Sequence, residues 1–451
     1  MADLLDVAHR VLRHAEPGEE VEAYAAHRLI TSVEVGEGAV VRQVGRAETR
    51  GVGVLVLARS CAGYASTADL SDAGLRRVVE QARDNGAIAD PDEAVTIAGR
   101  RGGPGDDLVP FVDPALEAMT LESKIAMVTD LARQVPGVDP RIPSVDSVDY
   151  RDELITAAIA STRGTRVEHR RGFAEMYVDV TGQSEGADAG EYSAWCGRNP
   201  LTCDLPSLAI EAVDRATRLL TREVALPAVA VPIVLDPTVV ADLLAAVGRA
   251  CSGGPVSSGR TPFAGRFDDV VASGAVTLVD DGLLATAPGA GGYDDEGVPR
   301  QRTELIRGGV LVGTLHNSTT AAAVGSGATS TGSARRTTHK AVSRAAATAL
   351  RLQENCSLPD LLERAGEAVY IQSLTGAGSG INALTGRVNV GGIGWLMRDG
   401  QPMGRLPTVP VSTSLEAILR AVELVADDAR PRASQPVVTQ TLLCAPGWLS
   451  W

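Results

Sequence analysis

The sequence has few aromatic residues, few lysines and no paired cysteine motif. Aromatic residues make up 3% of its 451 residues, and its only lysines are Lys124 and Lys340. The six cysteines are scattered, with no Cys-x-x-Cys pair, so the spacing favours neither a disulfide framework nor a four-thiolate zinc site. The net charge of −14 argues against a nucleic-acid partner, because phosphate binding needs basic residues concentrated on one face.

Long apolar runs are also missing. No uncharged apolar stretch approaches the ~18 residues that a membrane span requires, so we expect no membrane partner. The N-terminal stretch MADLLDVAHRVLRHAEP has acids and histidines among its apolar residues. This pattern predicts an amphipathic first helix and not a signal peptide. We therefore expect a cytoplasmic protein.

The chain is long enough for about two domains. Strand-like alternation over 22–28, 30–36, 39–44, 51–57, 145–150, 154–161 and 165–180 is interrupted by helical spacing over 71–85, 120–134 and 205–220. Because strands come in runs with helices between the runs, the pattern favours an α+β fold with mixed or antiparallel sheets. We expect an N-terminal α+β domain over 1–222 and a β-rich C-terminal domain over 223–451 that carries the site.

One helix is unusually well defined and carries little chemistry. In DPTVVADLLAAVGRACSGG, Asp236 can cap the helix and Pro237 suits its first turn. Apolar residues then recur at helical spacing until Gly253 and Gly254 end the pattern. A strand over 228–235 leads directly into this helix, a frame typical of active sites. The helix nevertheless has neither a carboxylate nor an imidazole after Asp242.

Three long stretches resemble one family. They are GVGVLVLARSCAGYASTADLSDAGLRRVVEQA at 51–82, YDDEGVPRQRTELIRGGVL at 293–311 and SLTGAGSGINALTGRVNVGGIGWLMRDGQ at 373–401. They are similar to segments of the TldD/PmbA peptidases, in the same order along the chain. The resemblance implies an α+β fold in two parts and an active site enclosed within a dimer.

The resemblance also indicates that this chain lacks the family's zinc ligands. Catalytic members of the family carry a His-Glu-x-x-x-His zinc motif, and this motif falls on Leu244, Ala245 and Arg249. The position of a later cysteine ligand falls in SQPVV, which has no cysteine. A fixed guanidinium repels Zn²⁺, so we expect no metal site. We expect no other cofactor either.

Two functions remain open at this stage. The chain could be a metal-independent amide hydrolase acting on a small peptide-like metabolite in natural-product biosynthesis, antibiotic pathways of the lincosamide type included. The strong preference for arginine over lysine indicates a GC-rich, for example actinobacterial, genome and favours this interpretation. Alternatively, the chain is a non-catalytic TldE-like subunit of a heterodimeric TldD/TldE zinc peptidase. The first function fits a homodimer and the second a heterodimer with a TldD-like chain.

Four residues are candidates for catalysis. His316 and Asn317 follow a predicted strand, where an imidazole can serve as general acid or base; a hydrogen-bonded surface histidine is the simpler alternative. Asp294 and Glu296 are neighbouring carboxylates whose pKa values can separate for acid–base work. The alternative for these two is a solvated acidic loop or pairing with nearby arginines.

Other residues are candidates for substrate binding. The Gly-rich loop at Thr375, Gly376, Gly378 and Ser379 offers backbone N–H groups for a carbonyl or an oxyanion, although a plain turn would also explain it. Guanidinium groups can bind a substrate carboxylate in bidentate fashion, and the candidates are Arg249, Arg260 and Arg302. Surface salt bridges are the alternative. The resemblance places the basic cluster at 333–340 near the enclosed cavity as well.

Overall fold

The computed structural model describes residues 3–99, 111–184, 187–325, 327–432 and 435–449. The helices are α1 (Leu4–Leu12), α2 (Asp72–Ala87), α3 (Pro114–Ala118), α4 (Leu121–Gln134), α5 (Leu205–Leu219), α6 (Pro237–Ala250), α7 (Gly253–Ser257), α8 (Ser318–Val324), α9 (Leu358–Ala365), α10 (Ala377–Gly380) and α11 (Leu415–Ala421). Within these ranges no helix is long and apolar enough to cross a membrane.

The first six strands form one antiparallel sheet in the order β3-β2-β1-β4-β5-β6. They are β1 (Glu20–Gly36), β2 (Val40–Ala58), β3 (Cys61–Thr67), β4 (Ser147–Ser161), β5 (Arg166–Ser184) and β6 (Ala187–Gly197). Helices α1 and α2 pack against one part of this sheet, and α4 and α5 against another. Two apolar clusters hold these layers together, one centred on Val54 and Leu75 and the other on Leu131 and Met176.

The first two strands are longer than the sequence predicts. The predicted strands at 22–28 and 30–36 are one strand, β1, and those at 39–44 and 51–57 are one strand, β2. The polar stretch between the predicted pieces of β2 stays in register with β1, as Arg46 pairs opposite Thr31. Backbone pairing therefore continues where the side chains no longer alternate. The hairpin turns at Gly38, whose φ of 68° favours glycine.

The later strands form two further sheets and a small ribbon. They are β7 (Ile233–Leu235), β8 (Leu278–Asp281), β9 (Arg302–Arg307), β10 (Val310–Leu311), β11 (Ala334–Arg335), β12 (Arg344–Ala345), β13 (Leu350–Leu352), β14 (Glu367–Thr375), β15 (Arg387–Arg398), β16 (Gln401–Arg405), β17 (Val409–Ser414), β18 (Val422–Val425), β19 (Arg430–Arg432), β20 (Val437–Thr439) and β21 (Leu442–Cys444). One sheet has the order β10-β9-β8-β13-β20-β19, and the other β16-β15-β14-β7-β21-β18 with β17 beside β15. Strands β11 and β12 form a separate two-stranded ribbon. Parallel and antiparallel pairs are both present, so the predicted α+β class is confirmed.

Helix α6 lies against strands of both later sheets. It contacts β14 of one sheet and β13 and β20 of the other, and most of its residues are buried in the largest apolar cluster. The predicted cap is present, since the Asp236 carboxylate accepts the Thr238 backbone N–H at 2.8 Å. The same carboxylate accepts from Arg215 at 2.9 Å and from the Tyr370 hydroxyl at 2.9 Å. This buried network fixes the start of α6, the helix that carries Leu244, Ala245 and Arg249.

Candidate functional site

A cavity of about 1020 Å³ lies between the first sheet and the second half of the chain. Its wall includes Glu22, Leu55 and Tyr64 from β1, β2 and β3, and Ala245, Arg249 and Arg260 from α6 and the segment after it. A second cavity of about 620 Å³ shares Ala245, Arg249 and Ala383 with the first. The two cavities are therefore neighbours, and the last turns of α6 lie where they meet.

The three positions to which the family resemblance assigns the zinc motif carry no metal ligand. Leu244 is buried in the apolar core, while Ala245 and Arg249 line the cavity. Two hydrocarbon side chains and a guanidinium have no lone pair to give to Zn²⁺. Within the described ranges, no group of three or more His, Cys, Asp or Glu side chains is arranged to hold a metal ion. Cys251, at the end of α6, is buried, and burial raises its pKa to about 12, so its thiol stays protonated near neutral pH.

The acidic loop holds its carboxylates in separate environments. Asp294 is buried and accepts the backbone N–H groups of Glu296 at 2.9 Å, Val298 at 2.9 Å and Ala334 at 3.0 Å. Burial, together with the charge of Glu296, raises the pKa of Asp294 to about 7. Asp294 is absent from the described cavity wall. Its hydrogen bonds shape the turn that presents Glu296.

The next carboxylate is held by arginines. Burial of Asp295 disfavours its ionised form, but the charges of Arg171, His169 and Arg300 together lower its pKa to about 2. Its side chain accepts from Arg171 at 3.3 Å and from the Arg336 backbone N–H at 2.7 Å. Asp295 is therefore an ionised anchor for the chain around Arg336.

Glu296 reaches the cavity and is surrounded by donors. Its Oε1 atom accepts from Asn317 Nδ2 at 3.1 Å and from the Ser343 hydroxyl, and its Oε2 atom accepts the Ser318 backbone N–H at 2.9 Å. Asn317 Nδ2 also lies 3.3 Å from Ser343 Oγ. Glu296, Asn317 and Ser343 all line the cavity. The structure thus brings two of the four predicted catalytic residues together and adds Ser343, for which the sequence offered no motif.

His316 lies behind the cavity wall. Its Nδ1 atom is 3.2 Å from Thr320 Oγ1, and Thr320, but not His316, is part of the described lining. A methyl group on Gly253 would come within 2.5 Å of the same nitrogen, so the imidazole fills the space between α7 and α8. Burial lowers the pKa of His316, which keeps it neutral. His316 therefore contacts a residue of the cavity wall, Thr320, without being part of that wall.

The predicted binding residues are divided between the cavities and the surface. Arg249 and Arg260 line the first cavity, whereas Arg302 is about half exposed and pairs with Glu304 at 3.1 Å. Arg302 is therefore outside the described cavities, as expected for the surface alternative. Gly378 and Ser379 line the second cavity.

The other two members of the Gly-rich loop have structural positions. Gly376 adopts a left-handed conformation with φ of 76°, which glycine favours. The Thr375 hydroxyl donates to the Gly391 carbonyl at 3.3 Å. Neither residue is in the described wall of the second cavity, so the loop presents only its later residues to that space.

A buried ion pair joins the two parts of the chain at the cavity. Arg336, after β11, pairs with Glu22 of β1 and lies over the rings of Tyr24 at 5.0 Å and Tyr64 at 5.8 Å. The Tyr64 hydroxyl in turn donates to the His339 carbonyl at 2.7 Å. Local sequence patterns could not find this pair, because its partners are 314 positions apart.

Models of one protein family match most of the chain. Models of the three PmbA/TldA metallopeptidase domains match the chain in order: domain 1 over 21–86, the central domain over 114–220 and the C-terminal domain over 229–444. The chain belongs to the PmbA/TldD family. The family resemblance predicted from the sequence is confirmed.

Relatives within the PmbA/TldD family are distant. A metalloprotease of Methanocaldococcus jannaschii is 27% identical over 57% of this chain and 56% of its own length. A TldD homologue of Haemophilus influenzae is 26% identical over 71% and 68% of the two chains, and PmbA of Escherichia coli O157:H7 is 21% identical over 92% and 89%. Some of these matches thus span little more than half of the curated relative.

Solved structures share the PmbA/TldD fold over nearly the whole chain. A candidate modulator of a DNA gyrase from Thermotoga maritima superimposes with a TM-score of 0.88 at 20% identity, covering 98% of both chains. TldE from Thermococcus kodakarensis superimposes with a TM-score of 0.84 at 17% identity, again over 98% of both chains. These similarities extend the family fold to this chain.

Proposed function

We propose that this PmbA/TldD-family chain is a hydrolase that cleaves an amide bond of a small peptide-like metabolite without a metal. The observation that carries the proposal is the position of Glu296. Its carboxylate reaches the cavity between the two parts of the chain and accepts from Asn317, Ser318 and Ser343. A fixed carboxylate in a walled cavity is a suitable general base for a water molecule.

The proposed reaction uses Glu296 twice. Its carboxylate takes a proton from a water molecule as the water oxygen bonds to the amide carbonyl carbon. The carbon–nitrogen bond then breaks, and the same proton passes from Glu296 to the leaving amine, so that an acid and an amine are released. Asn317 and Ser343 hold the carboxylate in place. Arg249 and Arg260, which line the same cavity, bind a carboxylate of the substrate.

The biological setting is part of the proposal. The preference for arginine over lysine supports an actinobacterial source, and the absence of zinc ligands at positions 244, 245 and 249 supports use of the fold in a specialised pathway. We place the enzyme in the cytoplasm, as a homodimer in the biosynthesis of an antibiotic, lincosamide-type pathways included.

The second candidate function is a non-catalytic subunit. The fold similarity to TldE of Thermococcus kodakarensis, with a TM-score of 0.84, and the Leu, Ala and Arg side chains at the zinc-motif positions favour it. In this case the chain would assemble with a TldD-like chain that supplies the zinc. The cavity would then complete the partner's substrate channel.

The deciding experiment assays the purified chain alone, in the presence of a chelator, against a panel of short peptide p-nitroanilides. We expect release of nitroaniline, and Glu296→Gln should lower kcat at least about 10²-fold, the size of a lost general base. Glu80→Gln is the matched control, because Glu80 is exposed on α2. Activity that appears only after a zinc-bearing TldD-like chain is added would replace the hydrolase proposal with the subunit proposal.

A further inference from the structure

Two arginines face each other on the β11–β12 ribbon at the cavity wall. Arg335 and Arg344 are directly opposite in the antiparallel register, and both line the cavity of about 1020 Å³. Like charges directly opposite each other destabilise a strand pair. The arrangement thus weakens the ribbon unless something negative lies between the two side chains.

No described carboxylate fills that role. The acids in the described cavity wall are Glu22 and Glu296. Glu22 forms an ion pair with Arg336. Glu296 accepts hydrogen bonds from the Asn317 and Ser343 side chains and from the Ser318 backbone N–H. Across the described ranges, Arg335 and Arg344 form no ion pair, and the two acids that attract Arg335 electrostatically already pair with other arginines. These are Asp295, which binds Arg171, and Glu153, which binds Arg28 and Arg151.

The surroundings add further positive charge. A smaller cavity of about 370 Å³ also has Arg335 in its wall, together with Arg171, Arg300 and Glu153, and Arg171 is paired with Asp295. Arg249 and Arg260 line the larger cavity and likewise form no ion pair with any described residue. The chain as a whole carries a net charge of −14, so a cluster of unpaired guanidiniums in one cleft departs from its overall balance. Clefts lined by one sign of charge concentrate ligands of the opposite sign.

We propose that Arg335 and Arg344 form an arginine clamp that binds an acidic group of the substrate, and that the substrate class is acidic peptide-like molecules with more than one carboxylate. One carboxylate lies between the two guanidiniums of the clamp, and Arg249 or Arg260 binds another. Each guanidinium can form two parallel hydrogen bonds to a carboxylate. This inference rests on the proposed function only in taking the bound acid to be the substrate.

The test measures binding and needs no turnover. Isothermal titration calorimetry compares acetyl-Glu-Glu-Glu-amide with acetyl-Gln-Gln-Gln-amide on the full chain at low salt. We expect the acidic peptide to bind at least about 10-fold more tightly, and the double variant Arg335→Gln/Arg344→Gln to lose most of this preference, because only Arg249 and Arg260 remain to bind a carboxylate. Arg133→Gln is the control, because Arg133 lies on α4, is mostly exposed and pairs with Asp130; it should bind like the wild type.

Thermal unfolding distinguishes a binding role from a structural one. Without peptide, the double variant and Arg344→Gln alone should melt at or slightly above the wild-type temperature, by about 1–3 °C, because the cross-strand repulsion is removed. If both variants melt clearly below the wild-type temperature, the two arginines have a structural role and the clamp proposal is wrong. Equal binding of the two peptides would also overturn it.

The two proposals can fail separately. Absence of amide hydrolysis, with the acidic preference intact, contradicts the hydrolase and leaves the clamp. Hydrolysis of neutral and acidic probes at equal efficiency contradicts the clamp and leaves the hydrolase.

Discussion

Replacing Asp236 by asparagine separates two roles of this carboxylate at the start of α6. As a helix cap it accepts the Thr238 N–H at 2.8 Å, and asparagine caps a helix about as well as aspartate does. As an anion it neutralises Arg215, which is buried and donates to it at 2.9 Å. Asp236→Asn therefore removes the charge and keeps the cap, whereas Asp236→Ala removes both.

The expected loss of unfolding free energy in Asp236→Asn depends on the hydrogen bonds that Arg215 keeps. Breaking a buried ion pair by removing one partner costs about 3–5 kcal/mol. Arg215 keeps Glu191 at 3.3 Å and the Gln372 carbonyl at 3.1 Å, so we expect Asp236→Asn to fall near the lower limit, about 3 kcal/mol. Losing the cap as well should add about 1 kcal/mol for Asp236→Ala.

Urea unfolding followed by circular dichroism measures both variants. The matched control is Asp204→Asn, since Asp204 caps α5 through Ser207 N–H at 3.2 Å and forms no ion pair within the part of the chain that the structure describes; its unfolding midpoint should stay close to that of the wild type. If Asp236→Asn unfolds at the wild-type midpoint, the ion pair does not stabilise α6, and the reasoning from buried charge is wrong.

The pH dependence gives an independent check on Asp236. Burial raises its pKa, but Arg215, the Thr238 N–H and Tyr370 outweigh burial, and the pKa of Asp236 is lowered below its ordinary value. In acid the unfolded chain therefore takes up this proton before the folded chain does. The stabilisation by Asp236 is present above the ordinary pKa of an aspartate and is lost as the pH falls towards the folded value. Asp236→Asn should lose this part of the acid sensitivity.

Two further predictions concern other buried groups. Arg198→Lys should lower the unfolding free energy by about 2–3 kcal/mol in the same urea assay. The Arg198 guanidinium donates to the backbone carbonyls of Phe111 at 2.5 Å and Ala287 at 2.7 Å, and an ammonium group cannot satisfy all of these acceptors. Unchanged stability would contradict this role. Cys251, whose pKa burial raises to about 12, should stay unmodified by iodoacetamide at pH 8 in the folded chain and react fully in urea, as read by peptide mass spectrometry; rapid labelling of the folded chain would show that the thiol is accessible.

Sequence patterns predict the parts of this molecule that depend on local chemistry. The cap at Asp236 and the course of α6 follow from a capping residue, helical spacing and a terminal Gly pair. Positions after a strand and on an acidic loop make Asn317 and Glu296 candidates from the sequence, and their catalytic roles stay predictions. The division into 1–222 and 223–451 stays a prediction.

The rest of the site depends on contacts between distant segments. Arg302 and Arg260 are both carboxylate-binding candidates from the sequence, but only the fold decides that Arg302 pairs with Glu304 on the surface. The clamp arises because a two-stranded ribbon places Arg335 opposite Arg344. The family resemblance places the basic cluster at 333–340, and with it Arg335, near the cavity, but nothing in the spacing indicates its partner across the ribbon.

The ion pair between Glu22 and Arg336 has an implication for truncated forms of the protein. Residues between positions 22 and 96 form one side of the cavity and residues from 245 onwards form the other, so neither part alone encloses a ligand. A fragment that starts after β3 would lack most of the early side and leave Arg336 without its anion. During synthesis the binding pocket therefore comes into existence last, when the late segment docks onto the early one.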